Sequence, residues 1–94
     1  MPSRILNRMR ERIRTRRYVM TLHAEEEMDN DELSIFDVES VILTGELIEQ
    51  QRDRKTRERK YLVRGETVNG RRLAVAVCKF GPTDKLVILT VYAE

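Results

Sequence analysis

Apolar residues recur along this chain first at helical spacing and then in alternation. Ile5, Leu6, Met9 and Ile13 fall on one side of an arginine-rich stretch, which predicts an amphipathic helix over residues 3–16 with a narrow apolar stripe. Tyr18 to Met20 reads as a short extended lead-in. Thr21 then reads as the N-cap of a helix from Leu22 to about Asn30, with Ala24 and Met28 facing inward. Glutamates at Glu25, Glu26 and Glu27 suit the positive end of that helix dipole. Ser34-Ile35-Phe36-Asp37 has capping-box spacing with Asp in place of Glu, and it opens a helix whose apolar positions are Ile35, Val38, Val41 and Ile42. Gly45 reads as its terminator, the residue past the C-terminus where a positive φ is favoured.

From there the period shortens to two. Leu47 to Gln51 predicts a first strand and Arg59 to Thr67 a second, with the charged loop Asp53 to Glu58 between them. Asn69-Gly70 marks a hairpin into a strand from Arg72 to Lys79, and Gly81-Pro82-Thr83-Asp84 a turn into a last strand from Leu86 to Tyr92. The predicted fold is α+β, with N-terminal helices on one face of a four-stranded, mainly antiparallel sheet. Parity assigns the bulky sets Leu73, Val75, Val77 and Val87, Leu89, Val91 to the helix-covered face, provided no bulge intervenes. The second face then carries smaller and more polar groups, among them Lys60, Arg64, Thr90 and Tyr92, and reads as a shallow groove or a dimer contact.

At 94 residues the chain is one domain, read as an Arg-rich helix over 1–17 and an α+β unit over 18–94. Chains this short bury only roughly 60 to 65% of their unfolded surface, so a homodimer is the expected state. No run of about 20 apolar residues exists and the Arg-rich start lacks the apolar core of a signal peptide, which places the protein in the cytoplasm with no membrane partner. The single cysteine, Cys78, sits among Val75, Ala76 and Val77 and reads as a small buried hydrophobe.

A net charge of +2 conceals segregation. Residues 1–17 hold seven arginines against Glu11, residues 18–51 hold ten acids and no Lys or Arg, and residues 52–60 hold six cations against Asp53 and Glu58. The arginine face can bind phosphate backbones or anionic lipid, and it can equally pair with the acidic segment that follows.

Leu22-His23-Ala24, Met28, Asp37-Val38, Gly45-Glu46-Leu47-Ile48-Glu49, Tyr61-Leu62-Val63-Arg64-Gly65, Gly70-Arg71-Arg72-Leu73 and Ile88-Leu89-Thr90-Val91-Tyr92 fall in a familiar order. Over about Thr21 to Ala93 the chain resembles the prokaryotic family called domain of unknown function 4258. The resemblance implies a compact fold similar to RelE and BrnT-type toxins of toxin–antitoxin pairs, many of which cleave mRNA without metal. It therefore implies RNA as a ligand and an antitoxin as a protein partner, a fold-level analogy.

Metal-free cleavage of RNA needs a base for the 2′-hydroxyl, a proton donor for the leaving oxygen and cations on the phosphate. His23 is the one residue with a reference pKa near neutrality, Arg64 can hold a phosphate bidentately, and Tyr92 can donate a proton or stack on a base. Lys60, Arg72, Lys79, Arg54 and Lys55 are the candidate nucleic-acid contacts. Each has a plainer reading: His23 paired with Glu26 or Glu27, Tyr92 as packing, and Arg64 and Lys60 as solvated sheet charges. His-Ala-Glu-Glu-Glu is not a zinc-helix pattern, and neither a Gly-rich phosphate loop nor a nucleophile elbow is present, so neither metal nor cofactor is expected. The alternative to a nuclease is a non-catalytic module that binds nucleic acid or protein.

Overall fold

Side-chain oxygens start all three helices. Ser3 accepts from Leu6 N at 3.1 Å to open α1 (Arg4–Arg14), and Thr21 accepts from Ala24 N at 3.0 Å to open α2 (Leu22–Asn30). A reciprocal box opens α3 (Ile35–Thr44), with Asp37 N donating to Ser34 Oγ at 3.2 Å and Ser34 N to Asp37 Oδ2 at 2.9 Å. The structure, a computed structural model, describes residues 3–94. The strands are β1 (Tyr18–Met20), β2 (Glu46–Arg52), β3 (Arg59–Glu66), β4 (Leu73–Phe80) and β5 (Leu86–Ala93).

These strands form one mixed sheet in the order β1-β5-β4-β3-β2. The expected count of four strands is therefore corrected to five. Tyr18 to Met20 pairs parallel to Leu86, Val87 and Ile88, held at its ends by Leu86 N donating to Arg17 O at 3.1 Å and Thr21 N to Ile88 O at 3.0 Å. Three residues give no periodicity of their own, and their partner lies far along the chain. The remaining pairings are antiparallel, and the β3–β4 turn places both Asn69 and Gly70 at φ +65°.

All three helices lie on one face. Leu6, Met9 and Ile13 of α1, Ala24 and Met28 of α2, and Val38, Val41 and Ile42 of α3 share a core with Tyr61, Val63, Ala74, Ala76, Cys78, Leu86, Ile88 and Val91. The arginine-rich helix is thus packed into the same core as the rest of the chain. Sheet parity differs from expectation in two strands. In β4 the small residues Ala74, Ala76 and Cys78 face the helices, and Leu73, Val75 and Val77 turn away. In β5 an extra residue at Leu89, between the pairs Cys78↔Ile88 and Val77↔Thr90, reverses the alternation, so that Ile88 and Val91 both point inward.

The small residues follow from how closely α3 approaches. A Cβ on Gly65 would stand 2.2 Å from the Val41 carbonyl oxygen, and one on Gly45 would stand 2.4 Å from the same atom. Gly45 has φ −87° and ψ −177°, so the positive φ expected of it is absent. Its glycine is required by proximity instead. Arg10 ties down the end of the same helix, donating from Nε to Ile42 O at 3.1 Å and from Nη2 to Gly45 O at 2.7 Å.

Other arginines of α1 fix the β4–β5 turn. Arg12 is buried, with Nε donating to Asp84 O at 2.8 Å and its guanidinium also reaching the Glu11 and Asp84 carboxylates. Arg8 lies 4.1 Å over the Phe80 ring and donates to Asp84 Oδ1 at 2.8 Å.

Replacing Gly65 with Ala must move backbone rather than a side chain. Gly65→Ala is expected to cost about 2 kcal/mol or more, read as a lower urea midpoint at unchanged slope. The Arg12 hydrogen bond holds the Asp84 carboxyl below the usual aspartate range. Such a carboxylate stabilises the fold above its unfolded pKa, about 3.9, and that contribution is lost as the pH falls through the lower folded value. The melting-temperature gap between wild type and Asp84→Asn is therefore expected to be widest at neutral pH and to close on acidification.

Candidate nucleic-acid interface

The loop between β2 and β3 carries the densest charge in the chain, and its two acids are consumed locally. Asp53 Oδ1 accepts from Lys55 N at 2.8 Å and Thr56 N at 3.1 Å, while Arg57 N returns to Asp53 O at 2.9 Å. The Thr56 and Lys55 amides hold the Asp53 carboxyl below the ordinary range. Arg57 takes a left-handed conformation, φ +60°, that closes the turn, and Asp53 N donates to Glu58 O at 2.9 Å. Glu58 pairs with Lys79 on β4 at 3.0 Å.

What remains is cationic. Arg52, Arg54, Lys55, Arg57 and Arg59 are exposed, and among the described residues none of their side chains makes a hydrogen bond or salt bridge within the chain. Arg52, Asp53, Arg54 and Arg57 surround an open hollow of about 510 Å³. Of the expected nucleic-acid contacts, Arg54 and Lys55 sit on this tip. Lys60 and Lys79 stand beside it on the uncovered face of the sheet, one position beyond the Tyr61↔Cys78 pair. Arg72 lies at the other end of β3, roughly 25 Å away along eight extended residues. It donates to Asp31 O at 2.7 Å and lines a separate polar hollow of about 460 Å³ with Glu32, Asp37 and Asn69.

The candidate catalytic residues are only partly assembled. Arg64 and Tyr92 flank Val75 in register, Arg64↔Val75↔Tyr92, on the uncovered face. Arg64 is held by Glu94 through two hydrogen bonds, 2.8 Å from Nε and 3.0 Å from Nη2, which keeps its guanidinium firmly charged. Thr90 shares that face opposite Val77. His23 is exposed in the first turn of α2, whose inward residues Ala24 and Met28 belong to the helical layer. Among the described residues His23 makes no hydrogen bond or salt bridge to Arg64, Tyr92, Glu26 or Glu27.

Four of the seven N-terminal arginines have structural partners. Arg8, Arg10 and Arg12 hold the contacts described above, and Arg17 donates to Glu11 Oε1 at 2.6 Å. Arg4, Arg14 and Arg16 are exposed, and no polar contact ties them to the described residues. Cys78 is fully buried, and burial pushes its thiol up to about 12, which suppresses the thiolate. Among the described residues no group of three or more His, Cys, Asp or Glu could hold a metal ion, and no helix is long and apolar enough to cross a membrane.

Two features escaped the sequence reading. Asp53 as the staple of the loop had a legible signal, an Asp two residues before Lys55 in a turn. The Glu58–Lys79 pair had none, because it joins the loop to β4 across 21 residues.

The family described as "Domain of unknown function (DUF4258)" matches residues 20–93. No curated protein and no solved structure matches the chain at a significant level.

Asp53→Ala removes the acceptor for two loop amides. Hydrogen exchange at Lys55 and Thr56 is expected to quicken severalfold, with the β4 amides unchanged.

Proposed function

The chain belongs to the DUF4258 family, and from that premise we propose that it is an RNA-binding protein that grips the phosphate backbone with the β2–β3 hairpin. The observation that carries this reading is the hairpin tip: five exposed cations around a loop whose Asp53 and Glu58 are already committed to internal partners. A cation without a partner can replace the counterions of a phosphate chain, and a tip closed by hydrogen bonds presents several of them with little ordering cost. The helices on one face of the sheet, and the fold-level analogy to RelE and BrnT-type toxins that the family resemblance implies, support RNA as the nucleic acid and an antitoxin protein as the cellular partner.

Metal-free cleavage is a second reading of the same ligand. It is favoured by Arg64 and Tyr92 sharing one face on either side of Val75. His23 would have to act from α2, with the RNA bridging the two.

Fluorescence anisotropy with a labelled single-stranded RNA across a salt series tests the binding. Affinity is expected to fall with a slope of about −0.7 per phosphate engaged. Arg54→Ala and Lys55→Ala should each weaken binding and shallow that slope, and His23→Ala should change neither. Salt-insensitive binding, or none at low salt, would overturn the proposal. The cleavage reading requires chain scission in the presence of EDTA that disappears in both His23→Ala and Arg64→Ala.

A further inference from the structure

The sheet face away from the helices is apolar at its centre and oppositely charged at its two ends. Along its middle run Val75, Val77, Leu62 and Leu89, with Ile48 and Val19 at its margins, and none of these six belongs to the helical-side core. Ile48 is 49% exposed, Val19 45% and Leu73 38%, whereas Leu62, Val77 and Leu89 are half-buried and Val75 is covered by its neighbours, so the apolar surface open to water lies at the margins of the belt.

Register fixes the charges around the belt. At one end Glu66 stands across from Leu73, whose carbonyl accepts from Glu94 N, and Glu46 stands across from Arg64. That end carries three carboxylates, Glu46, Glu66 and Glu94, against the single guanidinium of Arg64. Between Glu46, Ile48, Arg64, Glu66 and Leu73 lies a hollow of about 250 Å³. At the other end Lys60 stands across from Gln51 and Lys79 across from Val87, with Lys85 just before β5. That half carries three ammonium groups against Glu58 and against Glu49, which stands across from Leu62.

We propose that this face is a homodimer interface, in which two copies stack sheet on sheet about a two-fold axis running across the strands. Such an axis keeps each strand over its own counterpart and reverses its ends. Lys60 of one copy then lies over Glu66 of the other and Lys79 over Leu73 beside the acidic hollow, while the apolar belts meet at the centre. A two-fold interface must be complementary to itself, and a surface acidic at one end and basic at the other meets that requirement. The area is of the right order. Four strands about 4.8 Å apart and about six residues long present on the order of 400 Å² in projection, within a factor of about two of the roughly 800 Å² per partner of ordinary stable complexes, which suits a dimer that dissociates on dilution. The inference goes beyond RNA binding: the hairpin tip lies past the end of the stacked region, whereas Arg64 and Tyr92 would be covered.

Sedimentation velocity over a concentration series tests this with the intact chain. Wild type is expected to sediment as a dimer that dissociates on dilution, and more readily at high salt. Ile48→Glu and Leu73→Glu, both at already exposed positions, should raise the dissociation constant at least tenfold with an unchanged circular dichroism spectrum. Leu22→Glu and Phe36→Glu, exposed on the helical side, should leave it unchanged. Lys60→Glu should weaken the dimer and the pair Lys60→Glu with Glu66→Lys should restore it. A wild type that stays monomeric to sub-millimolar concentration overturns the proposal, as does a dimer indifferent to Ile48→Glu and Leu73→Glu. Failure of Lys60→Glu with Glu66→Lys to restore a dimer lost in Lys60→Glu overturns the two-fold geometry. RNA affinity of the Ile48→Glu monomer, measured alongside, separates this result from the fate of the hairpin reading.

Discussion

Two glycines set the height at which the helical layer rests on the sheet. Gly45 and Gly65 meet beneath the Val41 carbonyl with no room for a methyl group, so α3 sits nearly on the backbone of β3. That proximity decides the composition of the neighbouring strand. Under a helix so close, β4 can offer only Ala74, Ala76 and Cys78, and its larger residues are forced to the opposite face. The apolar surface of the open side is thus a consequence of tight packing on the closed side. A chain of 94 residues has three helices to spend, and all three go to one face.

The charges follow a comparable division. Arginine on α1 and just after it is structural where a carbonyl or carboxylate is within reach: Arg10 at the end of α3, Arg12 and Arg8 at Asp84, Arg17 at Glu11. Arg12 shows the strongest case, because a buried guanidinium requires full satisfaction and obtains it from Glu11 and the Asp84 side chain and carbonyl. The hairpin behaves in the opposite way. There the acids are consumed by the loop and by Lys79, and the cations are left to the solvent. Equal densities of arginine in sequence therefore have different meanings, set by where the nearest acceptors fall in three dimensions.

The local features were legible because local physics sets them. Thr21, Ser34 with Asp37, and Asn69-Gly70 each satisfy backbone groups within a few residues, and each does so in the structure. The expected face bearing Lys60, Arg64, Thr90 and Tyr92 also exists. What the sequence hid depends on distant partners. Strand β1 is defined only by β5, some 68 residues later. The bulge at Leu89 and the proximity that demands Gly45 and Gly65 have no local signature, and they reversed parts of the parity assignment. His23 is the corresponding case at the candidate site, where residue type suggested chemistry and, among the described residues, no hydrogen bond or salt bridge joins it to Arg64.

Val75 joins the two halves of this picture. It is 1% exposed although it lies on the uncovered face, where the long side chains of Arg64 and Tyr92 flank it in register and Arg64 is fixed by its bidentate pair with Glu94. A guanidinium spent on screening an aliphatic side chain, and fixed by a carboxylate, is poorly placed to receive a phosphate unless Glu94 yields. The cations of the hairpin tip meet no such competitor. The same chemistry, arginine facing solvent, thus favours the tip for binding an anion and the open face for packing against a surface that brings its own complementary charges.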